Sequence, residues 1–317
     1  MLEIISEFGL DLPSSVDELR PLVQMVKTDE RNPQTFLAKF NVIRQFFQSP
    51  KIIQRLVDEA IEDAASDGVH VLELRFTPAA SCQSSGLTLE ETVDTVVAAS
   101  QEAAKRNQIM LGMILSVNRH ETVKLAEEVI RIAVDRMEAG IRGVDLAGDE
   151  EGSAVDPFMP VFKEAKQAGL KLTIHAGEWG GPEHVAQAIE AMAADRIGHG
   201  IRALEDPAVV QMARTSGVGF EISPTSNMLT GVTNEMATYP LAAMIDAGLR
   251  VAITTDDPSI FDTTLGKEHA LAVEHWGLSI ETIKGLTLQA LQLSFFHDKE
   301  RRTLETKVVE SLWGSEG

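Results

Sequence analysis

Short apolar segments alternate with longer amphipathic segments along most of the chain. The apolar segments are rich in Val, Ile and Leu and predict seven strands, at 69–76, 109–117, 141–146, 170–174, 196–198, 218–222 and 249–254. The intervening segments have helical periodicity, and several carry start signals, such as Thr88 before two glutamates. This alternation predicts a parallel sheet with helices on both faces.

The regular alternation favours a TIM (β/α)8 barrel over a doubly wound sheet, because no glycine-rich dinucleotide turn follows the first strand. A closed barrel has eight strands, so the first strand is expected to be absent from this chain. No repeat, low-complexity tract or linker divides the sequence. We expect a single α/β barrel domain over 1–317, with a helical insertion at about 12–66 and a helical tail from about 279.

The composition narrows the class of partner. The 317 residues contain 28 Lys and Arg against 48 Asp and Glu, a formal net charge of −20. An acidic surface repels phosphate backbones and anionic lipids, so we expect a small molecule as partner, with no nucleic acid and no membrane. The single cysteine, Cys82, and the lack of a long apolar run indicate a cytoplasmic protein. The oligomeric state stays open, with a homo-oligomer as one option.

Reactive side chains follow the predicted strands, where the active sites of α/β barrels lie. His175 and Glu178 follow one strand, His199 another, and Asp256 the last. Imidazole and carboxylate together suit Zn²⁺, which activates water, and the glutamate could act as general acid or base. The residues therefore predict metal-assisted hydrolytic attack at an sp² carbon. His175 and Asp256 are only two credible ligands, where a catalytic zinc takes three protein ligands.

The histidines outside this group are interpreted differently. His70, His184, His269, His275 and His297 lie at helix or strand positions without convergent partners in the sequence. We expect them to be packed or capping residues.

Six motifs in a fixed order carry a resemblance to a known family. They are LELRFTP at 72–78, DLAGDE at 145–150, HAGE at 175–178, RIGHG at 196–200, PTSN at 224–227 and TDDP at 255–258. As a set they make the segment from about Val69 to Arg302 similar to the adenosine deaminase family of the amidohydrolase superfamily, whose barrel is of the metal-dependent hydrolase type. The resemblance implies zinc-dependent hydrolysis of adenosine or deoxyadenosine to inosine or deoxyinosine, with release of ammonia, in purine salvage.

The resemblance also implies roles for individual residues. His175 and Asp256 would be ligands of one zinc ion, and Asp256 would belong to the catalytic set as well. Glu178 would protonate N1 of the purine. His199 would orient and stabilise the attacking hydroxide.

Two further residues would contact the substrate. Asp257 would hydrogen-bond N7 of the purine, and the backbone N–H of Gly148 would meet N3. Adenine or another 6-aminopurine nucleoside is an alternative substrate, because the loops that discriminate among them are only partly present in this sequence. An amidohydrolase with a non-purine substrate is a further alternative, against which these two contacts argue.

One departure from the family pattern puts catalysis by this chain in question. Family members begin with a strand that carries a His-x-His pair of zinc ligands, and no histidine precedes His70. Either that strand belongs to an upstream sequence, with Met1 an internal methionine, or the natural protein lacks it. The second case favours a purine-binding protein with impaired catalysis.

Overall fold

The apolar segments form one parallel sheet. In a computed structural model that describes residues 1–314, seven strands follow one another in chain order, and all neighbouring pairs are parallel. They are β1 (Val71–Phe76), β2 (Met110–Asn118), β3 (Ile141–Ala147), β4 (Lys171–Ala176), β5 (Arg196–His199), β6 (Gly219–Ile222) and β7 (Arg250–Ile253). The sheet curls into a half-barrel, so the predicted barrel class is confirmed, and every strand end lies within two residues of its predicted position.

Residues 1–314 also form sixteen α-helices. Before β1 lie α1 (Leu2–Phe8), α2 (Val16–Val23), α3 (Pro33–Ile43) and α4 (Pro50–Ser66); between the strands lie α5 (Pro78–Ser85), α6 (Leu89–Asn107), α7 (Val123–Asp135), α8 (Met159–Gln167), α9 (Pro182–Glu190), α10 (Pro207–Ser216), α11 (Pro224–Leu229) and α12 (Leu241–Asp246); after β7 lie α13 (Pro258–Phe261), α14 (Leu265–Trp276), α15 (Ile280–Leu293) and α16 (Asp298–Trp313). Thr88 and Glu91 form a capping box at the start of α6, as the sequence signal predicts. None of the helices within the described residues is both long and apolar enough to cross a membrane.

The main hydrophobic core lies between the sheet and the outer helices. Leu172 and Ile174 of β4, Phe220 of β6 and Val251 of β7 are completely buried in it. Phe162 of α8 packs in the same cluster and is also completely buried. Burial of apolar residues on the outer face leaves the inner face of the strands to carry polar side chains.

The interior of the half-barrel is charged. Arg75 of β1 donates to Glu221 Oε2 of β6 at 2.5 Å, and Arg196 of β5 donates to Glu73 Oε2 of β1 at 2.5 Å. Arg196 Nε also lies 2.6 Å from Glu221 Oε1, an ion pair without hydrogen-bond alignment. Burial alone would raise the pKa of Glu221, but the two guanidinium groups lower it. These pairs connect β1 with β5 and β6 across the interior of the half-barrel.

The loop between α15 and α16 closes the amino end of the sheet. The ring of Phe295 lies beneath the guanidinium of Arg196, 3.6 Å from ring centroid to Cζ. The backbone N–H of Phe295 donates to Glu73 Oε1 at 2.5 Å. A Cβ at Gly143 of β3 would lie 2.7 Å from the Phe295 ring, so only glycine fits there. With this end filled, the carboxyl end of the strands is left for a functional site.

The helices before β1 reach that carboxyl end. The backbone N–H of Met25 donates to the carbonyl of Ile260, in the helix α13 that follows β7, at 2.8 Å. Phe36 of α3 stacks on Phe261 of α13, with ring centroids 5.2 Å apart. Residues between α2 and α3 are therefore placed beside the loops that follow the last strands.

Candidate active site

His175 is held from one side by a buried carboxylate. Its Nδ1 lies 2.9 Å from Asp145 Oδ1 of β3, while Asp145 Oδ2 accepts a hydrogen bond from the Ser116 hydroxyl at 2.8 Å. Burial favours protonated Asp145, but the charges of Arg75 and His175 outweigh it and lower its pKa, so the carboxylate accepts from Nδ1–H. This leaves Nε2 of His175 free, the arrangement found in metal-binding histidines.

Glycine on the neighbouring strand makes room for this imidazole. A Cβ at Gly198 of β5 would lie 3.1 Å from Cγ of His175. Burial lowers the pKa of His175, but the adjacent Asp145 carboxylate outweighs burial and raises it. The sequence motif around Gly198 is thus explained by the packing of His175 as well as by the turn that follows.

His199 and Asp256 both have a strained backbone. Their φ angles are 61° and 55°, in the left-handed region that costs a non-glycine residue about 1–2 kcal/mol. Both residues lie where a strand ends. The unusual backbone directs their side chains toward each other, with His199 Nε2 4.0 Å from Asp256 Oδ2.

Glu178 and His175 complete a cluster around His199. Glu178 Oε2 lies 3.6 Å from His199 Nε2, and the rings of His175 and His199 have centroids 5.3 Å apart. Glu178 is only 4% exposed. Burial raises its pKa well above the ordinary value, and the charges of Asp256, Glu150 and Asp257 raise it further. The protonated acid is favoured, as a proton donor requires.

The orientation of His199 is set by an amide. Its Nδ1 lies 3.0 Å from Nδ2 of Asn227, whose Oδ1 accepts a hydrogen bond from the Tyr239 hydroxyl at 2.8 Å. With the amide oriented in this way, Nδ1 accepts, and the ring proton of neutral His199 lies on Nε2, facing Glu178. Burial lowers the pKa of His199 to about 4, which favours the neutral ring.

Asp256 is anchored in a similar manner from α11. Ser226 donates from its hydroxyl to Asp256 Oδ2 at 2.8 Å. Asp257 follows directly, and burial together with the charge of Asp256 raises its pKa well above the ordinary value.

Gly148 lies at the carboxyl end of β3. Its φ of +91° needs glycine, and a Cβ there would lie 3.3 Å from the backbone N of Arg119 and 3.5 Å from His120 Nδ1. The structure thus brings His175, Glu178, His199 and Asp256 together, with Asp257 adjacent in sequence, and places Gly148 beside the loop that follows β2.

His184 is a packed residue, as the sequence predicts, but it has a carboxylate partner that the sequence did not reveal. Its Nδ1 lies 3.0 Å from Oε1 of Glu150, because the first turn of α9 folds back over the loop after β4. The sequence does not reveal the contacts that Asp145 and Asn227 make with the two histidines, although each lies inside a motif. Both are polar residues within the DLAGDE and PTSN segments, and this position in a motif is the sequence feature that could have identified them.

A cavity of about 710 Å³ reaches Glu178 from the outside. Glu178 and Trp179 form part of its wall, and Arg31 and Arg202 also line it. This volume is in the range of small-molecule sites. Arg202 is paired with Glu205, which lines the same cavity.

The side chains of this cluster supply part of the ligand set that a zinc ion requires. His175 has a free Nε2 backed by a carboxylate, and Asp256 adds an oxygen donor of a type that zinc accepts. Among residues 1–314, no three or more His, Cys, Asp or Glu side chains are grouped so as to hold a metal ion. Two residues of the chain thus fit as ligands, one fewer than a catalytic zinc takes.

Comparison with known proteins places this geometry in a family. The family model described as adenosine deaminase matches residues 1–311. The chain belongs to the adenosine deaminase family. The match also includes the helices before β1, which the sequence motifs did not cover. An adenosine deaminase from Klebsiella pneumoniae is 33% identical over 311 residues, which are 98% of this chain and 93% of the relative.

Solved structures of related deaminases have the same fold. An adenine deaminase from Arthrobacter aurescens is 26% identical, with a TM-score of 0.88 over 98% of this chain and 93% of its own. An N6-methyl-AMP deaminase from Arabidopsis thaliana is 25% identical, with a TM-score of 0.83 over 98% of this chain and 91% of its own. The adenosine deaminase family is metal-dependent and acts on small molecules and water. These relatives differ in the substrates that their names give.

Proposed function

We propose that this protein hydrolyses the 6-amino group of adenosine or deoxyadenosine, giving inosine or deoxyinosine and ammonia, with zinc as cofactor. The observation that carries the proposal is the buried cluster in which Glu178 lies 3.6 Å from His199. Attack at C6 of a purine builds negative charge on the ring nitrogen N1, and a positioned acid neutralises that charge in the transition state.

Glu178 supplies that acid. A carboxyl group that is buried beside Asp256 and Asp257 keeps its proton at a higher pH than one in water. It can therefore donate to N1 as the C6–N1 bond loses its double-bond character. As the oxygen of the attacking water becomes the C6 carbonyl, its two protons go to the amino group, which leaves as ammonia, and to Glu178, while the N1 proton remains on the product.

His199 orients the nucleophile. The hydrogen bond at Nδ1 from Asn227 fixes the ring, and Nε2 faces both Glu178 and Asp256. A neutral imidazole in this position holds a water or hydroxide by a hydrogen bond on the side where the purine carbon must lie.

His175 and Asp256 would hold the zinc ion. When bound, zinc lowers the pKa of water to about 7 and so makes it a nucleophile at neutral pH. The Asp145 carboxylate and the Ser226 hydroxyl keep these two side chains in place. Asp257 and the backbone N–H of Gly148 are proposed to bind N7 and N3 of the purine.

Adenine and modified nucleosides are the alternative substrates. The similarity to an adenine deaminase and to an N6-methyl-AMP deaminase supports considering both the free base and a nucleotide. With Glu178 protonated, Glu151 and Glu205 balance Arg31 and Arg202 on the cavity wall, so the wall has no excess positive charge to bind a phosphate, which favours an uncharged substrate.

A second candidate function is purine binding without turnover. It is favoured by the presence of two zinc ligands, rather than three, among the described residues. In both cases we propose a cytoplasmic protein.

A substrate panel separates these candidates. The protein is loaded with zinc, and ammonia release is measured from adenosine, deoxyadenosine, adenine and AMP. Release from the two nucleosides at the highest kcat/KM supports the proposal. Faster release from adenine or AMP would identify that compound as the substrate in place of the nucleosides. Tight binding of adenosine by calorimetry, with no ammonia from any compound, supports the second candidate.

A further inference from the structure

Glu150 occupies an unusual position directly behind the loop that carries Glu178. It lies just after β3 and is 2% exposed. Its Oε1 accepts the backbone N–H of Gly177 at 2.5 Å, and its Oε2 accepts those of Glu178, Trp179 and Gly180 at 3.0, 2.9 and 2.9 Å. One carboxylate thus satisfies four consecutive backbone donors.

The carboxylate is ionised in this setting. Burial would raise the pKa of Glu150, but the backbone N–H groups of Gly180 and Gly177 lower it, with help from the charges of Arg119 and His184. A charged acceptor forms stronger hydrogen bonds with backbone donors than a neutral one does. The loop therefore folds around a fixed negative charge.

His184 closes the other side of the carboxylate. Its Nδ1 lies 3.0 Å from Glu150 Oε1. A Cβ at Gly180 would lie 2.1 Å from His184 Nδ1 and 2.8 Å from Glu150 Oε1, so the pair can approach the loop only because residue 180 is glycine. The glycine at position 180 therefore allows Glu150 and His184 to lie this close to the loop.

The loop needs an external anchor. Gly177, Gly180 and Gly181 surround Glu178, and Gly177 has a φ of +69°. Glycine segments lose the most conformational freedom on ordering, so their conformation depends on the contacts around them. Loss of the four hydrogen bonds would leave the Glu178 carboxyl without a defined distance to His199.

We propose that Glu150, braced by His184, is a positioning residue that fixes the loop 177–180 and thereby holds the carboxyl of Glu178 against His199. The effect of Glu150 on catalysis rests on the proposed function. Its effect on the conformation of the loop does not depend on that function. Glu150 contacts neither His175 nor Asp256 in the hydrogen bonds described above. It acts on the proton donor through the backbone of the loop and, at longer range, through its charge, which raises the pKa of Glu178.

Amide hydrogen exchange tests the proposal without any need for turnover. Exchange at 177–180 is measured by NMR in the full chain and in Glu150→Gln, with the amides of β5 as internal reference. Glutamine keeps the shape but replaces one oxygen by a donor that faces the N–H groups. We expect the four amides to exchange at least about tenfold faster, as loss of roughly 1.4 kcal/mol of local stability gives, while β5 is unchanged.

Two further variants keep the outcome clear. Glu127→Gln makes the same chemical change on the exposed face of α7 and is expected to leave all these rates unchanged. His184→Ala removes only the brace and is expected to speed exchange at 177–180 by a smaller factor. If Glu150→Gln does not fold, the amide exchange rates at 177–180 in His184→Ala test the proposal instead. Parent-like rates at 177–180 in a folded Glu150→Gln, or in His184→Ala in that case, would overturn the proposal.

Activity supplies an independent readout. In an active preparation, Glu150→Gln is expected to lower kcat at least about tenfold with KM little changed, as for an interaction used in the transition state. The basic limb of the pH profile moves to lower pH, because loss of the Glu150 charge lowers the pKa of Glu178. An inactive parent with fast exchange in Glu150→Gln would count against the proposed function and leave the positioning role supported.

Discussion

Asp145 and His175 form a buried pair in which a carboxylate of β3 fixes the imidazole of β4, with Oδ1 and Nδ1 2.9 Å apart. The pair predicts an effect on metal binding. We expect Asp145→Asn to weaken zinc binding about 10–100-fold, the usual range for a partner of a ligating histidine. Competition with a chromophoric chelator measures the affinity.

Asp149→Asn is the matched control for this pair. Asp149 is an exposed acid of the same motif and accepts only from the backbone of the following turn. Its variant is expected to bind zinc as the parent does. If the two variants bound zinc equally well, the positioning of His175 by Asp145 would be wrong.

Asn227 predicts a change in pH dependence. An aspartate at this position would accept a hydrogen bond from the Nδ1–H of His199, where the Asn227 amide donates one to Nδ1, and would stabilise the charged ring. Because the pKa of His199 is about 4, the parent keeps a neutral ring over most of the pH range, and Asn227→Asp is expected to move the acid limb of kcat/KM to higher pH.

Tyr239→Phe is the companion variant for Asn227. It removes the hydroxyl that holds the amide of Asn227 and introduces no charge. We expect a loss of kcat smaller than that of Asn227→Asp, with the acid limb unmoved. An acid limb that stays in place in Asn227→Asp would show that His199 does not titrate in the productive enzyme.

Glu178 predicts a dependence of stability on pH. Its pKa is raised in the folded protein, so its contribution to the free energy of unfolding is fully present below the unfolded pKa and is lost as pH rises through the folded pKa. The Glu178→Gln variant has no titratable group at this position, so its free energy of unfolding does not show this loss at rising pH. The stability of the variant relative to the parent is expected to grow with pH above about 4.5, by up to about 1.4 kcal/mol per pH unit.

Urea unfolding at several pH values checks this expectation. Glu127→Gln, on the exposed face of α7, serves as the control and is expected to show the same difference from the parent at every pH. A difference between Glu178→Gln and the parent that shrinks with pH would contradict the raised pKa.

The charged interior predicts strong coupling between β1 and β6. Arg75→Met leaves Glu221 buried with one of its two guanidinium partners missing, and removal of one partner of a buried pair costs about 3–5 kcal/mol. The double variant Arg75→Met, Glu221→Gln is expected to recover part of that loss. Urea unfolding measures both, and additive effects of the two substitutions would exclude the coupling.

The sequence predicted the strands and the cluster for a physical reason. Val, Ile and Leu runs mark buried parallel strands, and polar residues directly after them meet at one end of a barrel. His175, His199 and Asp256 lie in such positions, so their convergence follows from the alternation of strand and helix. The left-handed backbone of His199 and Asp256 was not predictable, since neither residue is a glycine.

The inner charges and the loop anchor depend on register. Glu73 and Arg75 are two residues apart on β1 and therefore lie on the same polar face. Their partners, however, come from strands more than 100 residues away in the sequence. The carboxylate of Glu150 meets four amides only once β3 and β4 lie side by side. Pairings of this kind are set by strand order and curvature, which a pattern along one chain does not encode.

Ammonia release from adenosine by the zinc-supplemented protein and by its Glu178→Gln variant is the most direct test of the deaminase proposal. We expect turnover by the parent, loss of turnover in the variant, and equal zinc content in both by mass spectrometry, because the substitution removes the proton donor and no ligand. An active variant, or one that loses its zinc together with its activity, would contradict the role assigned to Glu178.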